Sequence, residues 1–296
     1  MKVSIRLMTY NHEAYIEEAL DGINNQKTNF DFEVVVGDDF STDNTLQKIK
    51  NYHVTNSKLH MRILERTKGD AYHVVRQEKG RLYNFVNIIE HCKGTYIALL
   101  DGDDYWIDPY KLQKQVDFLE ANDDYFFVSA NSQFLKNNQL EETKIGGDLV
   151  LQDFINGNKL GRQAAAFMFR NKQVTRFLDD LKAYPWPFGD LLLIFWCLKQ
   201  GKGMVLDEVM VYYRIHDTGL WSSITMKSRL QNMIMFYTLA YKSEIHPNYN
   251  FDLYKLSVDS VLNKVFESNK TIRAEQSSNG VLKALKKLLK EVFNYG

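Results

Sequence analysis

The sequence predicts an α/β fold, a mainly parallel sheet flanked by helices, with a helical C-terminal extension. Three observations predict it. Strand-like and helix-like stretches alternate from residue 3 to about 130, the βαβ pattern that builds a parallel sheet covered by helices. Two acidic clusters, "GDDFSTDN" and "DGDD", follow directly on the strand-like runs "FEVVV" and "YIALL", at the carboxyl ends where ligands bind in such sheets. Beyond residue 224 the pattern is helical with no clear strand.

The elements follow in order. "VSIRLMT" reads as the first strand; Ile16, Ala19, Leu20 and Ile23 then fall at helical spacing. "FEVVVG" and "MRIL" read as strands, and Leu82, Phe85, Val86 and Ile89 mark the next helix. "YIALL" is a strand, Leu112, Val116 and Leu119 a helix, and "YFFVSA" a strand. "KNNQLEETKIGGD" reads as an exposed loop and "AAAFMF" as another strand. Val174, Phe177, Leu178 and Leu181 mark a helix that the two prolines of "PWPFGD" break. "LLLIFWCL" is helical, and "EVMVYYR" is the last strand. The expected organisation is one domain over residues 1–224, with a first half to about 120 and a second half after it, followed by an extension over 225–296.

Composition narrows the function classes. With 37 basic and 37 acidic residues in 296, the chain lacks the basic footprint of a nucleic-acid binder. Cys92 and Cys197 lie in apolar helix-like contexts without metal-ligand spacing, which predicts buried, reduced thiols in a cytosolic protein. Ser4, Arg6 and Asn11 interrupt any apolar centre of a signal peptide in "MKVSIRLMTYNHE". The longest apolar run, "LLLIFWCL", is far short of the ~20 residues that span a bilayer. A cytoplasmic chain is the expectation.

Asp101, Asp103 and Asp104 crowd three carboxylates into four residues at the end of an apolar run. Their mutual repulsion needs water or a cation to offset it. Mg²⁺ or Mn²⁺ would suit an Asp-x-Asp, sharing carboxylate oxygens with a diphosphate and water; a plain Asx-type turn is the competing reading. In "VVVGDDFSTDNT", Asp39 at a strand tip can accept the imide N–H of uracil or thymine, while Ser41 or Asp43 can cap the next helix. "TYNHEAY" gives the first strand a polar end of Thr9, Tyr10, Asn11 and Glu13. The Tyr10 ring can stack on a planar base or be core, and Glu13 can be a first-turn acid favoured by the helix dipole.

The ordered set "TYN", "DDFSTDNT" and "KGTYIALLDGDDYWIDPYKLQKQ" strongly resembles family 2 glycosyltransferases of the GT-A fold, nucleotide-sugar-dependent enzymes that generally invert the anomeric centre. The resemblance covers roughly residues 3–120 and continues more weakly to about 224, which implies a nucleotide half to about 120 and an acceptor half over about 121–224. It implies a UDP- or dTDP-sugar donor, Asp39 on the pyrimidine, Asp101 near ribose or metal, and Asp103 on the metal. It also implies that Asp190 in "PWPFGDLLL" is the general base that takes the acceptor hydroxyl's proton, against the competing reading of a helix cap. His216 in "YYRIHDTGLWSS" is a candidate ligand to the metal or diphosphate, and Trp221 a candidate platform for a sugar ring. Two departures stand out. Phe85 and Val86 occupy the positions of an Ala-Arg-Asn segment common in relatives, with Arg81, Asn84 and Asn87 nearby but out of register. Gly189 replaces the first acid of a Glu-Asp pair.

The implied activity is sugar transfer to a glycan or lipid-linked acceptor in cell-surface polysaccharide or glycolipid assembly. An inactive sugar-nucleotide or glycan binding module is the alternative. A sugar nucleotidyltransferase would carry a glycine-rich basic loop after the first strand, and a dehydrogenase a G-x-G-x-x-G; neither is present. Finally, "VLKALKKLLKEVFNYG" puts Val281, Leu282, Leu285, Leu288, Leu289 and Val292 on one helical stripe flanked by Lys283, Lys286, Lys287 and Lys290. Such a stripe suits peripheral docking on an anionic membrane, or packing on preceding helices or a second subunit.

Overall fold

Strand β1 (Val3–Thr9) has two buried faces of different chemistry. Val3, Ile5 and Leu7 point into one apolar layer, whereas Ser4 and Arg6, equally buried, point into the other. The computed structural model describes residues 1–136, 139–155, 164–183 and 186–216, with 219, 225, 228, 232, 235 and 236 beyond them. The chain divides into two compact units, Met1–Tyr249 and Asn250–Gly296, and every described residue belongs to the first. Apart from Thr225, Ser228, Asn232, Met235 and Phe236, the expected C-terminal extension lies outside the described residues, as do Trp221 and the basic stripe.

Helix α1 (Ile16–Asn24) follows β1, then β2 (Phe32–Asp38), α2 (Thr45–Asn51), β3 (Leu59–Ile63), α3 (Ala71–Lys79), α4 (Leu82–His91) and β4 (Tyr96–Asp101). These four strands are parallel in the order β3-β2-β1-β4. The chain continues through β5 (Tyr105–Trp106), α5 (Lys111–Ala121), β6 (Tyr125–Lys136), β7 (Gln139–Glu142), β8 (Gly147–Leu149) and α6 (Leu151–Ile155). It closes with β9 (Met168–Arg170), α7 (Val174–Ala183), α8 (Gly189–Gln200) and β10 (Lys202–Tyr213). β9 joins β4 and β6 antiparallel, while β10 lies parallel to β6, so the sheet is parallel across its first half and mixed beyond.

Two apolar layers cover the sheet. α1 and α5 pack Ile16, Ala19, Leu20, Ile23, Leu112, Val116 and Leu119 on the Ile5 side. α4, α7 and α8 pack Phe85, Ile88, Phe177, Leu181, Leu192 and Phe195 on the Val35 and Leu99 side. Each such fully buried side chain stabilises the fold by ~1.5–3 kcal/mol. Cys92 and Cys197 are free and buried as predicted; burial pushes the Cys92 thiol up to about 12. No helix among the described residues is long and apolar enough to cross a membrane.

Two expectations are corrected. The stretch "KNNQLEETKIGGD" is not simply a loop: β7 pairs back on β6 and β8 begins at Gly147 on the edge of β10. "AAAFMF" is not one strand but a 3₁₀ turn, Ala164–Ala166, leading into β9. The Ala165 carbonyl accepts the Trp106 indole N–H at 2.9 Å and the Ala166 carbonyl accepts Nε2–H of Gln115 at 2.8 Å. Side chains, not a neighbouring strand, satisfy those buried carbonyls.

Candidate active site

The register of the parallel strands sets their acidic tips side by side. Thr9 pairs with Asp38 and Met8 with Asp101. Backbone bonds extend the pairing past the strand ends, with Asp39 N–H on the Thr9 carbonyl and Gly102 N–H on the Met8 carbonyl, both at 2.9 Å. The three carboxyl ends therefore form one rim. Thr9 itself is buried and donates its hydroxyl to Asp38 at 2.9 Å. Tyr10, the next residue, is 53% exposed, so its ring is open to a ligand.

Asn11 and Glu13 organise the neighbouring loop. Asn11 adopts a left-handed φ of 54°, tolerable for asparagine, and its Oδ1 accepts Thr42 N–H at 2.7 Å. Glu13 accepts from the backbone and side chain of Asn44 at 3.1 and 2.7 Å; the Asn44 hydrogen bonds hold its carboxyl below the usual range. Asp43 accepts from Thr45 N–H at 3.0 Å and so supports the first turn of α2. Asp39 is buried and meets Arg76 and Tyr72 of α3, neither of which the sequence singled out.

The "DGDD" turn separates its three acids into different environments. Asp101 pairs with the fully buried Arg6, whose guanidinium lies 4.9 Å from the Phe85 ring centre. A strand arginine thus covers Phe85, one of the two helix positions at which the resemblance implied an Ala-Arg-Asn segment. Asn84 and Asn87 instead hold Arg66 at 2.7 and 2.8 Å. Asp103 Oδ2 lies 3.1 Å from His216 Nε2 and 3.8 Å from His12 Nε2. Burial alone would raise Asp103, but the His216 hydrogen bond and the His12 charge hold it below the ordinary range. Asp104 is buried and accepts Arg214 N–H at 2.9 Å; burial and then the Asp103 charge push its carboxyl well up. Gly102 is required here, since an added Cβ would lie 2.8 Å from both His12 Nδ1 and Thr9 Cγ2.

Asp190 arrives from the other layer, in the first turn of α8. Among the described residues its Oδ1 accepts only the adjoining Leu191 N–H, at 2.9 Å, while the N-cap position belongs to Phe188. Burial and then the Asp101 charge push its carboxyl up. The glycine before it has a packing cause: a Cβ on Gly189 would meet Leu82 Cδ1 at 2.7 Å. A side chain in place of Gly189 would require Leu82 to shift. Tyr213, at the end of β10, was not anticipated. Burial, then the charges of Asp104, Asp103, Asp101 and Asp190, push its phenol up to about 12, so it stands as a neutral donor within electrostatic reach of all four.

The structure thus brings Asp101, Asp103, His216 and Asp190 into one electrostatic neighbourhood, with Tyr10 and Asp39 along the same rim. Among the described residues no three His, Cys, Asp or Glu side chains form a complete metal cage. A cavity of about 320 Å³ beside α3, lined by Leu64, Arg66, Asp70, Tyr72, Asn87 and His91 among others, includes none of these site residues.

The chain is 31% identical over 232 residues to the uncharacterized protein Rv1520 of Mycobacterium tuberculosis, covering 75% of this chain and 61% of that protein. It is 36% identical over 110 residues to the poly(ribitol-phosphate) beta-N-acetylglucosaminyltransferase TarS of Staphylococcus aureus, covering 36% of this chain and 17% of that one. The crystal structure of S. aureus TarS 1-349 in complex with UDP-GlcNAc superposes with a TM-score of 0.61 at 20% identity, over 90% of this chain and 73% of that one. The mannosyltransferase PcManGT from Pyrobaculum calidifontis, in complex with GDP-Man and Mn2+, gives a TM-score of 0.50 at 18% identity, over 99% of this chain and 82% of that one. The sequence profile described as glycosyl transferase family 2 matches residues 4–177, and the chain belongs to that family.

Proposed function

We propose that the chain transfers a sugar from a UDP- or dTDP-sugar to an acceptor hydroxyl, with inversion at the anomeric carbon, in cell-surface polysaccharide or glycolipid assembly. One observation carries the reading. Asp190, on a helix of one layer, is electrostatically coupled to Asp101 at a strand tip, beside the Asp103–His216 pair. This proximity supports Asp190 as a base beside the group that would hold a leaving diphosphate. The UDP-GlcNAc bound by TarS supports a nucleotide-sugar donor, and TarS acts on poly(ribitol-phosphate) by its name.

A divalent cation fits the donor set of this chain. Asp103 offers a carboxylate and His216 an imidazole, a mixture that suits Mn²⁺ better than Mg²⁺; the PcManGT structure is a complex with GDP-Man and Mn2+. When bound, the cation neutralises the diphosphate of the leaving group. Asp101, fixed by Arg6, lies at the ribose or metal. Tyr10 supports the base by stacking, Asp39 reads its edge, and Thr9, Asn11 and Glu13 hold the rim that presents them.

Asp190 takes the proton of the acceptor hydroxyl as that oxygen attacks C1 from the face opposite the diphosphate, and a single displacement inverts the centre. The raised affinity of its carboxyl for a proton suits a base. Work at the cytoplasmic face of a membrane, aided by the basic stripe near residue 285, would bring a lipid-linked acceptor to this site. The test is nucleotide release and product analysis with a panel of nucleotide sugars and glycan acceptors. A product of inverted configuration, formed by the native chain and not by Asp190→Asn, is expected; retention would overturn the mechanism.

A further inference from the structure

The ladder between β5 and β10 ends at Tyr105 and Tyr212, yet Asp103 and His216 meet beyond it, where no strand pairing joins their two segments. Arg214 bridges that gap. Its backbone N–H donates to Asp104 Oδ1 and its Nε–H to the Asp103 carbonyl, both at 2.9 Å. Its Nη2–H reaches Glu18 Oε2 on α1 at 3.0 Å. The guanidinium carbon lies 4.6 Å from the Tyr15 ring centre, 5.5 Å from that of Tyr105 and 5.9 Å from that of Tyr212. One residue thus ties the "DGDD" turn and the start of α1 to the end of β10.

These contacts are unequal. The Glu18 side chain is 52% exposed, so its ion pair is screened by water and contributes little. The three rings leave only 20% of the Arg214 side chain exposed, and a cation beside rings is held more strongly as water is removed from it. The bond to the Asp103 carbonyl comes from a charged donor, roughly twice as strong as one between neutral groups. The rings therefore fix where the arginine stands, and its Nε–H fixes the Asp103 backbone to it. Tyr15 also meets the second partner, its ring centre 5.0 Å from that of His216 and tilted by 50°. The same arginine and the same ring hold both Asp103 and His216, whose side chains approach to 3.1 Å.

We propose that Arg214 is a positioning residue that fixes the separation of Asp103 and His216 and so prepares the pair for a divalent cation, an inference that rests on the metal role given to that pair. Arg214 acts through the two side chains rather than on the ion itself. Direct binding of a ligand anion fits it less well, because Nε–H and Nη2–H already have protein acceptors and the guanidinium stands among aromatic rings. Its charge and its geometry act in opposite directions. As a bare charge, Arg214 repels a cation and weakens its binding. As a positioning group it strengthens that binding, since partners that orient metal ligands typically carry ~10–100-fold of affinity. The sign of the effect on removing Arg214 separates the two.

The experiment is Mn²⁺ titration of the full chain followed by electron paramagnetic resonance, with urea midpoints recorded to show that each variant is folded. The native chain is expected to bind Mn²⁺ and to show the nitrogen coupling of an imidazole. Arg214→Met keeps bulk among the rings but neither charge nor donor, and is expected to weaken Mn²⁺ by ~10–100-fold and lose that coupling. Arg214→Lys returns a cation to the tyrosines without the planar fork that reaches Asp103 and Glu18 together, and is expected to restore neither. Tyr15→Leu leaves every charged group of the site in place and carries the test where Arg214→Met does not fold; it is expected to weaken Mn²⁺ in the same direction, and native affinity in that variant would overturn the inference. Tighter binding by Arg214→Met would overturn it as well, since Arg214 would then act on the cation by charge alone. Native affinity in folded Arg214→Met, or full recovery in Arg214→Lys, would also overturn it while leaving the metal reading intact. Failure of the native chain to bind Mn²⁺ would remove the metal reading, and the inference with it.

Discussion

Nε2 of His216 lies 3.1 Å from Oδ2 of Asp103 across a sequence separation of 113 residues. Asp104, the next residue, instead takes the Arg214 backbone N–H and is pushed well up by burial and by the Asp103 charge. On the proposed reading, Asp103 and not Asp104 is therefore the metal ligand. Asp103→Asn is expected to weaken Mn²⁺ binding by about tenfold or more, His216→Gln to weaken it in the same direction, and Asp104→Asn to leave it nearly unchanged. Electron paramagnetic resonance of Mn²⁺ measures this directly. Equal losses for Asp103→Asn and Asp104→Asn would sink the assignment.

Much of this rim was legible in the sequence, because Asp39, Asp101 and Asp103 stand directly after buried apolar runs and local pattern alone puts them at strand tips. Their partners were not. Arg6, Arg76, Tyr72, His12 and Tyr213 reach the site through tertiary contacts that no periodicity encodes. Arg6 did leave a signal, a charged residue inside "VSIRLMT", a strand whose every other polar position is short. The same distinction explains the fold. Strands β1, β2 and β4 were readable because both faces are buried, whereas β7 is polar and mostly exposed and imitates a loop. α3 escaped notice because, of its residues, only Tyr72 is buried.

The ion pair of Arg6 and Asp101 is lopsided, with 1% of the arginine side chain exposed and 31% of the aspartate. Removing the aspartate strands a cation in the core, while removing the arginine leaves a carboxylate that water can reach. Asp101→Asn is therefore expected to destabilise the chain by ~3–5 kcal/mol and Arg6→Met by clearly less. Urea denaturation of both variants decides the order. The reverse ranking would mean that Asp101 depends on Arg6 more than the geometry implies.

Lys111 is fully buried, 2.8 Å from Gln115 Oε1 and 4.2 Å from the Trp106 ring centre. Burial pushes its ammonium from 10.5 down to about 7. Between those values the unfolded chain binds the extra proton, so stability must rise with pH across that window. The stability of the native chain relative to Lys111→Met is expected to climb by at most about 1.4 kcal/mol per pH unit from pH 7 toward 10. Urea melts at three pH values measure the slope. A flat difference would show that the contact with Trp106 keeps Lys111 charged in the fold.

Asp190 sets activity against stability. Burial and the Asp101 charge raise its carboxyl above the ordinary range. A carboxyl raised in the folded state contributes stability below its unfolded value and loses it as pH rises through the folded one. Near neutral pH the ionised group therefore carries a desolvation penalty that an amide of the same shape does not. Asp190→Asn is expected to raise Tm at pH 7.5, with the gain shrinking as pH falls toward the carboxylate range, while kcat drops by ~10²–10⁴ and donor affinity holds. A helix-capping role makes a different forecast, because loss of a cap lowers Tm and spares the chemistry. Differential scanning fluorimetry across pH, run beside a transfer assay, separates the two. A lower Tm with kcat retained would reduce Asp190 to a structural acid and leave the proton of the acceptor hydroxyl without a base.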